Sequence, residues 1–555
     1  MADRSVAKWE IFEESFGSDR SYDNPFTEAG LTVVFEGPGR RLWIDGFYDG
    51  QDEGGRGGVW RVRFAPPVEG RWQYRTVSND PRLDNKSGAF VCTAPLSRGP
   101  LALDPQFPNW FFRADGGPFF VVNDGWAPHP GFGNKSEHGD IRFGYPSEQD
   151  VRTYLDVLGR HGVNCFILVT QIYARQDFVT DPSFAWPWKV VDAKANRVDA
   201  ERFNLDYYRR LDRTIGYARD KGIFYGLELL FDNSVWRQLE WSHHPLNAAN
   251  GGWLEDSDRD GTGFQEMFDL GNRAHVEHIG RYIAYTAARL SAYWNVWFAL
   301  GGECGNIDRP GAQRHAAWYG HWGDFLAARD PHGRLQAIGD TGECEALVRH
   351  SRNNIMITQE HTSMDDLVMF CASLNRFGER FWGYDRPAII GEQDRFNNDK
   401  YERERRGFWV AFVSGFMMGR VDRHYPLADG ERLYESKLFG LAGDPPIYGD
   451  LKRMADFVER SAVAYWRMEP SDGLLVEASN LVYCLAEAGR EYLVYYVQGG
   501  AAGLQLPAGQ FAASWLNPRT GAVTGPRAVA GGAVQRFAAP DAEDWVLHVV
   551  HERIR

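Results

Sequence analysis

Cysteine is scarce in this chain and never paired in sequence. Six cysteines among 555 residues, at 92, 165, 304, 344, 371 and 484, stand singly with no CxxC. That spacing argues against a disulfide scaffold and against a thiolate zinc site. Long apolar runs are missing too. The longest stretch, GFWVAFVSGFMMG at 407–419, is too short and too broken by glycine to span a bilayer. Positive charge is in deficit: 61 Lys plus Arg against 75 Asp plus Glu leave a net charge of −14. The non-specific attraction to phosphate backbones or anionic lipid is therefore absent, and neither nucleic acid nor a membrane surface is expected as a partner. No glycine-rich phosphate turn follows an early strand and no GxxxxGK[ST] occurs, which removes the nucleotide-binding folds. The amino-terminal MADRSVAKWEIFEESF is charged throughout and carries no apolar segment before a small-residue cleavage site. It reads as no secretory signal, so reduced thiols and a cytoplasmic location are the expectation.

What the chain does have is apolar mass: 43% hydrophobic and 14% aromatic residues, too much for one core and enough for two to four domains. Three textures follow one another. Residues 1–98 alternate short aromatic or β-branched runs with turns, as in LTVVFEGPG and GGVWRVRFAPPVEGRWQYRTVSND, predicting an immunoglobulin-like β-sandwich. Within VWRVRFAP, Val59, Arg61 and Arg63 share one face and Trp60, Val62 and Phe64 the other, so a wet side and a core side are expected. Residues 460–555 return to that rhythm in NLVYCLAEAGREYLVYYVQGG, FAASWLNPRTG and EDWVLHVV, predicting a second sandwich.

Between them, over 99–459, strand and helix alternate. SEQDVRTYLDVLGRHG puts Val151, Tyr154, Leu155 and Leu158 on one helical face behind a Ser147 cap, and VNCFILVT follows as a continuous apolar strand. The unit repeats in NLDYYRRLDRTIGYARDKG with IFYGLELLFD, and in AHVEHIGRYIAYTAARL with WNVWFAL. Adding PFFVVND, RLQAIG, NIMIT, RPAIIG and GFMMGRVD gives eight strands, the count and spacing of a (β/α)8 TIM barrel with long loops. The fold class is α/β: a TIM barrel flanked by N-terminal and C-terminal β-sandwich domains.

In such a barrel the residues at the carboxyl ends of the strands line the site. Here they are Asn123, Asp124 and Trp126 after the first strand, Gln171 and Tyr173 after the second, and Asp232 after the third. Glu303 follows the fourth, Glu360 and His361 the sixth, Glu392 and Asp394 the seventh. Glu303 and Glu392 stand out because each ends an apolar run through a glycine, in ALGGE and AIIGE. Two carboxyls across a ring are what glycoside hydrolysis needs, one to protonate the leaving oxygen and one to attack or to activate water. Mutual repulsion would raise one pKa and leave the other group ionised. Trp126, Tyr173, Trp186, Trp188, Trp253 and Trp382 offer flat apolar surfaces for sugar rings, with core packing the competing reading for about half of the tryptophans.

At this point the chain resembles the clan A glycoside hydrolases, and more narrowly the apiosidase-like group with a small sandwich before the barrel. YDNPF, DGFYDG, WRVRFAP, SGAF, DGGPFFVVNDGWAP, REYLVYYVQGG and WLNPRTG carry the resemblance. It implies Glu303 as acid/base, Glu392 as nucleophile, retention of configuration, and Asp124, Trp126 and His361 around the sugar. One departure is visible. Many clan A members have Asn before the acid/base Glu, where this chain has Gly302.

Blander readings stand beside these. Taken singly, Glu303 reads more readily as a loop charge or helix N-cap, and only its pairing with Glu392 lifts it. Glu228 inside GLELLFD reads as a buried structural ion pair, His361 equally as a hydrogen-bonded histidine, and Cys304 as a packing residue. His243 and His244 are adjacent and would point apart in a strand, without HxH or HExxH, so no metal and no cofactor are expected. LEDSDRDGTG at 254–263 echoes a calcium loop but lacks Glu at the twelfth position, which favours a solvated loop. Three functions of different class follow: an exo-acting retaining glycosidase on an oligosaccharide or glycoside, a non-catalytic carbohydrate-binding protein, or a metal-dependent barrel hydrolase. The terminal sandwiches could cap the barrel, hold substrate or form a homo-oligomer.

Overall fold

The computed structural model describes residues 4–554 except 53–54, 56, 127–147, 171–185, 193–194, 196, 232–234, 236–237, 303–311, 340–344, 361–365, 394–400, 421–445 and 480. Eight strands close into a barrel: Asn123–Trp126, Cys165–Thr170, Phe224–Phe231, Val296–Gly302, Gln336–Ile338, Ile355–Glu360, Ala388–Gln393 and Met417–Arg420. All eight pairings are parallel, strand eight closing on strand one through Asn123 opposite Gly419. Seven of the eight expected apolar runs supply a strand, while the first, PFFVVND, enters strand one only with Asn123 and Asp124. Helices Glu148–Arg160, Leu205–Asp220, Arg273–Leu290, Ala312–Arg329, Glu345–Val348, Leu367–Trp382, Tyr401–Val413 and Pro446–Arg460 follow strands one to eight in turn.

Local chemistry sets the helix ends. Asn204, Asn272 and Asp366 accept from the backbone N–H of Tyr207, His275 and Val368, satisfying donors that the first turn leaves open. Two helices end in the same left-handed stop, Gly162 (φ +74°) and Gly222 (φ +75°), where a β-carbon would be strained. The next N–H groups, of Val163 and Ile223, reach back to Leu158 O and Ala218 O, as a Schellman turn requires. That turn delivers the chain straight into strands two and three.

The amino ends of the even strands share a clamp. Asn164, directly before strand two, accepts from Val122 N–H and donates to Phe120 O, both at 2.9 Å. Asn295, before strand four, donates to Ile215 O and Ile223 O. Asn354, before strand six, accepts from Gln336 N–H. Beneath them the buried Arg113 guanidinium lies 4.7 Å from the Phe224 ring and 4.9 Å from Trp294, and its Nε donates to Gly99 O. Burial pulls this arginine down to about 10. That end of the barrel is closed.

Residues ahead of the barrel form a five-stranded and a three-stranded sheet facing one another across an aromatic core, with Phe12 stacked on Phe90 and Phe35 on Phe64. Trp60, Val62 and Phe64 point into that core as the alternation requires. The opposite face is wet only in part: Val59 and Arg61 are partly exposed, but Arg63 is buried. Arg63 pairs with Asp212 of the helix Leu205–Asp220 at 2.6 Å, and Arg289 of the helix Arg273–Leu290 reaches the same carboxylate at 2.7 Å and Asp49 at 2.9 Å. Burial works to raise Asp212, but the two guanidinium groups hold its carboxyl below the usual range. Arg63 therefore docks the sheet on the barrel, whereas Arg61 pairs with Glu13 and Asp49 ahead of it. At the other terminus, six-stranded and three-stranded sheets pack over a second core. Arg405 of the helix Tyr401–Val413 fastens them through a two-pronged pair with the fully buried Asp544, while Trp409 stacks on Tyr495.

Candidate active site

The carboxyl ends of the strands gather the candidate residues. Glu392 lies in strand seven, its backbone opposite Gln359 of strand six. Strand four ends at Gly302, and Glu303 is the next residue in the chain, outside the described residues. Strands four and seven sit three places apart in the ring of eight. Asp124 and Trp126 belong to strand one, Asp124 opposite both Phe166 and Arg420, Trp126 opposite Leu168. Gln171 and Tyr173, Asp232 and His361 continue the chain from the ends of strands two, three and six, and all four lie outside the described residues.

Two groups reach the interior from the strands themselves. The ring of Phe166 meets Tyr154 on the surrounding helix, so alternation turns Cys165 and its register partner Asn123 inward. The Asn123 amide is 1% exposed and has no hydrogen-bond partner among the described residues. Glu228 of strand three is fully buried, opposite Thr170 and Ala299.

Two tryptophans expected to face sugar do not. Trp188 lies in the hairpin Trp188–Asp192 with Arg197–Phe203, is 1% exposed, and packs against Trp253 and Tyr282. Its ring fills core between that hairpin and the helix Arg273–Leu290. Trp382 is the last residue of the helix Leu367–Trp382 and packs against Trp110, with its ring against Gly415. A barrel helix runs back antiparallel to its strand, so its carboxyl end lies at the closed end, away from the mouth. An aromatic run in sequence carries no record of which partner covers it. Trp186 is buried as well. Trp253, half-buried, donates its indole N–H to His275 Nδ1 at 2.9 Å, while His275 Nε2 donates to Met267 O at 2.8 Å. Those two bonds fix one neutral tautomer, and burial lowers His275 to about 4.

The segment after strand three carries further groups. His243 and His244 lie in a turn after the helix Gln238–Trp241 rather than in a strand. His244 is buried, stacks on Trp241, accepts from Leu246 N–H, and is pushed by burial down to about 3. A histidine so held neutral is core, not a titrating catalyst. Farther along, Asp256, Asp258 and Asp260 converge, with Glu266 behind them.

The class defined by this architecture is a (β/α)8 barrel with sheets packed before and after it. Solved structures are similar over most or nearly all of the chain. One, described as "a putative glycoside hydrolase from Bacteroides vulgatus ATCC 8482", matches with a TM-score of 0.70 at 18% identity, covering 99% of this chain and 100% of the other. A second, described as a glycoside hydrolase, matches at 0.58 and 15% identity over 83% of this chain and 98% of the other. A third, a glycoside hydrolase family 5 protein from Bacteroides vulgatus, matches at 0.55 and 14% over 82% and 94%. At these identities the likeness is one of fold. Residues 5–79 match a family model described as a domain of unknown function (DUF5060), and residues 470–550 one described as "Putative collagen-binding domain of a collagenase". No curated protein matches the sequence. Among the described residues, no helix is long and apolar enough to cross a membrane.

Proposed function

We propose that this chain is a retaining, exo-acting glycoside hydrolase, with Glu303 as acid/base and Glu392 as nucleophile. The observation that carries the reading is positional. In a closed eight-stranded barrel, strand seven contains Glu392 and strand four stops one residue before Glu303, the two strand ends that the sequence marks with ALGGE and AIIGE. The shared fold of proteins described as glycoside hydrolases supports it.

In the proposed cycle the protonated Glu303 donates to the leaving glycosidic oxygen while the Glu392 carboxylate attacks the anomeric carbon. Water then hydrolyses the glycosyl ester, with Glu303 as base. Retention places such carboxyls about 5–5.5 Å apart, where the negative charge of one keeps the other protonated. Asp124, Trp126, Gln171, Tyr173, Asp232 and His361, at or just beyond the strand ends, would hold the sugar. Residues 1–98 and 460–555 act as modules packed on a barrel spanning 99–459, and small glycosides taken up into the cytoplasm are the substrates this reading favours.

The test is release of aryl aglycone from a panel of α- and β-linked pyranosides and furanosides. Glu303→Gln and Glu392→Gln should each lose about three orders of magnitude in kcat with folding intact. The first-formed anomer should keep the configuration of the substrate. Turnover surviving either replacement sinks the two-carboxylate mechanism. Sugar binding with no cleavage by the wild type would make the chain a binding protein.

A further inference from the structure

The acidic loop between strand three and the helix Arg273–Leu290 has the geometry of a cation site. Asp256, Asp258 and Asp260 each present a carboxylate oxygen, and these three atoms lie within 4.8 Å of one another. Opposite ligands of a calcium ion bound at 2.3–2.6 Å stand about 5 Å apart, so one such ion reaches all three without any of them moving far. The acids occupy the first, third and fifth places of DSDRDGT, with Gly261 sixth at φ +81° and Thr262 seventh. That is the order in which a calcium loop turns its ligands inward.

An independent observation points the same way. Glu266, in the single turn Phe264–Met267 that closes the loop, is 7% exposed. Its Oε1 accepts from Ser257 N–H at 2.9 Å and from the Ser257 hydroxyl, which holds the carboxylate against the backbone between Asp256 and Asp258. Its Oε2 is buried without a hydrogen-bond partner among the described residues, and so is Asp256 Oδ1. Buried carboxylate oxygens without a donor are costly, and a cation between the aspartates would offset the charge on both groups.

We propose that Asp256, Asp258 and Asp260 hold one hard divalent cation of the calcium type, with the buried Glu266 carboxylate behind them. Glu266 stands at the eleventh place of the loop rather than the twelfth and spends one oxygen on Ser257. The affinity therefore belongs at the weak end, about 10⁻⁴ to 10⁻³ M. Magnesium, which demands an octahedron at 2.0–2.1 Å, binds less well. The loop is fastened to the segment that begins at the end of strand three: Gln238 Nε2 donates to Asp260 O, Gly263 N–H to Val235 O, and the Trp241 ring lies against Gly263. The ion would thus brace one wall of the barrel mouth, a structural role independent of the hydrolytic chemistry proposed above.

The experiment uses the full chain, stripped of metal by EDTA and titrated with Tb3+ under tryptophan excitation, with Trp241 as the sensitiser. Saturable emission displaced by Ca2+ at about 10⁻⁴ to 10⁻³ M, and by Mg2+ only at higher concentration, is the expected result. Replacing the exposed pair, Asp258→Asn with Asp260→Asn, should weaken Ca2+ at least tenfold while leaving the circular dichroism unchanged. Glu266→Gln should weaken it severalfold. No saturable emission, or emission and displacement that survive the double replacement, overturns the site. The readout is metal binding, so a failed glycosidase assay leaves this result standing.

Discussion

The two ends of the barrel are built on opposite principles. At the amino ends of the strands, Asn164, Asn295 and Asn354 bond neighbouring backbone groups, and Arg113 is sealed beneath aromatic rings. Polar side chains there bond the protein's own backbone. At the other end the chain departs into long segments bearing carboxylates. Buried polar atoms without a partner among the described residues occur at both, Asn295 Oδ1 and Gln336 Oε1 at the amino ends and Glu266 Oε2 beyond the carboxyl end of strand three, so the departing segments, not the unsatisfied atoms, set the mouth apart. Barrels place their chemistry at that end.

Mutations should separate these roles. The largest effect belongs to the mouth: the Glu303→Gln and Glu392→Gln losses set out above, about 4 kcal/mol in transition-state terms, with unchanged unfolding. Next is the seam between the amino-terminal sheet and the barrel. Asp212→Ala removes the carboxylate that the buried Arg63 and Arg289 share, leaving them Glu13 and Asp49, and should cost about 3 kcal/mol of stability in urea unfolding. Turnover per folded molecule should hold, and a variant stable but inactive would contradict the division. Trp188→Ala empties core under the hairpin, at about 3–5 kcal/mol. If instead stability holds and KM rises, that ring touches sugar after all.

At the closed end, Asn164→Ala leaves Val122 N–H without its acceptor and should cost about 1–3 kcal/mol with kcat unaffected. The mildest perturbation is pH. His244 and His275 stay neutral in the folded state down to about 3 and about 4, whereas the unfolded chain protonates them near pH 6.5. The unfolded state therefore binds more protons in that window, and stability should fall as pH drops below about 6.5. Asp212 adds a second loss at lower pH. Its lowered carboxyl contributes fully above the unfolded value of about 3.9, and that contribution goes as pH falls through the folded one. Melting curves across pH 3–8 check both steps, and Asp212→Asn should flatten the lower one.

The contrast also shows where sequence reading works. WNVWFAL and AIIG could only be buried parallel strands, because both faces of such a strand are apolar. Counting eight of them placed Glu303 and Glu392 at strand ends. The same reasoning misjudged Arg63, since period-two alternation separates two faces without saying that the charged one meets Asp212, which lies 149 residues away in sequence. It could not choose between core and sugar for Trp188 and Trp382 for a related reason: a large ring gains as much from a neighbouring helix as from a ligand. In the acidic loop the spacing of the aspartates was visible, but with Met267 at the twelfth position nothing local showed that Glu266, at the eleventh, is tied to the loop through Ser257.

By itself, then, the sequence determined the periodicities, and with them the strand and helix order, the glycine stops and the two acids at matching strand ends. Those features depend on neighbours a few residues apart. Only the tertiary structure decided which charges are buried in pairs, which aromatics are core and which carboxylate oxygens are left without donors. Each of those depends on groups from distant parts of the chain arriving at one place, and local pattern carries no term for that.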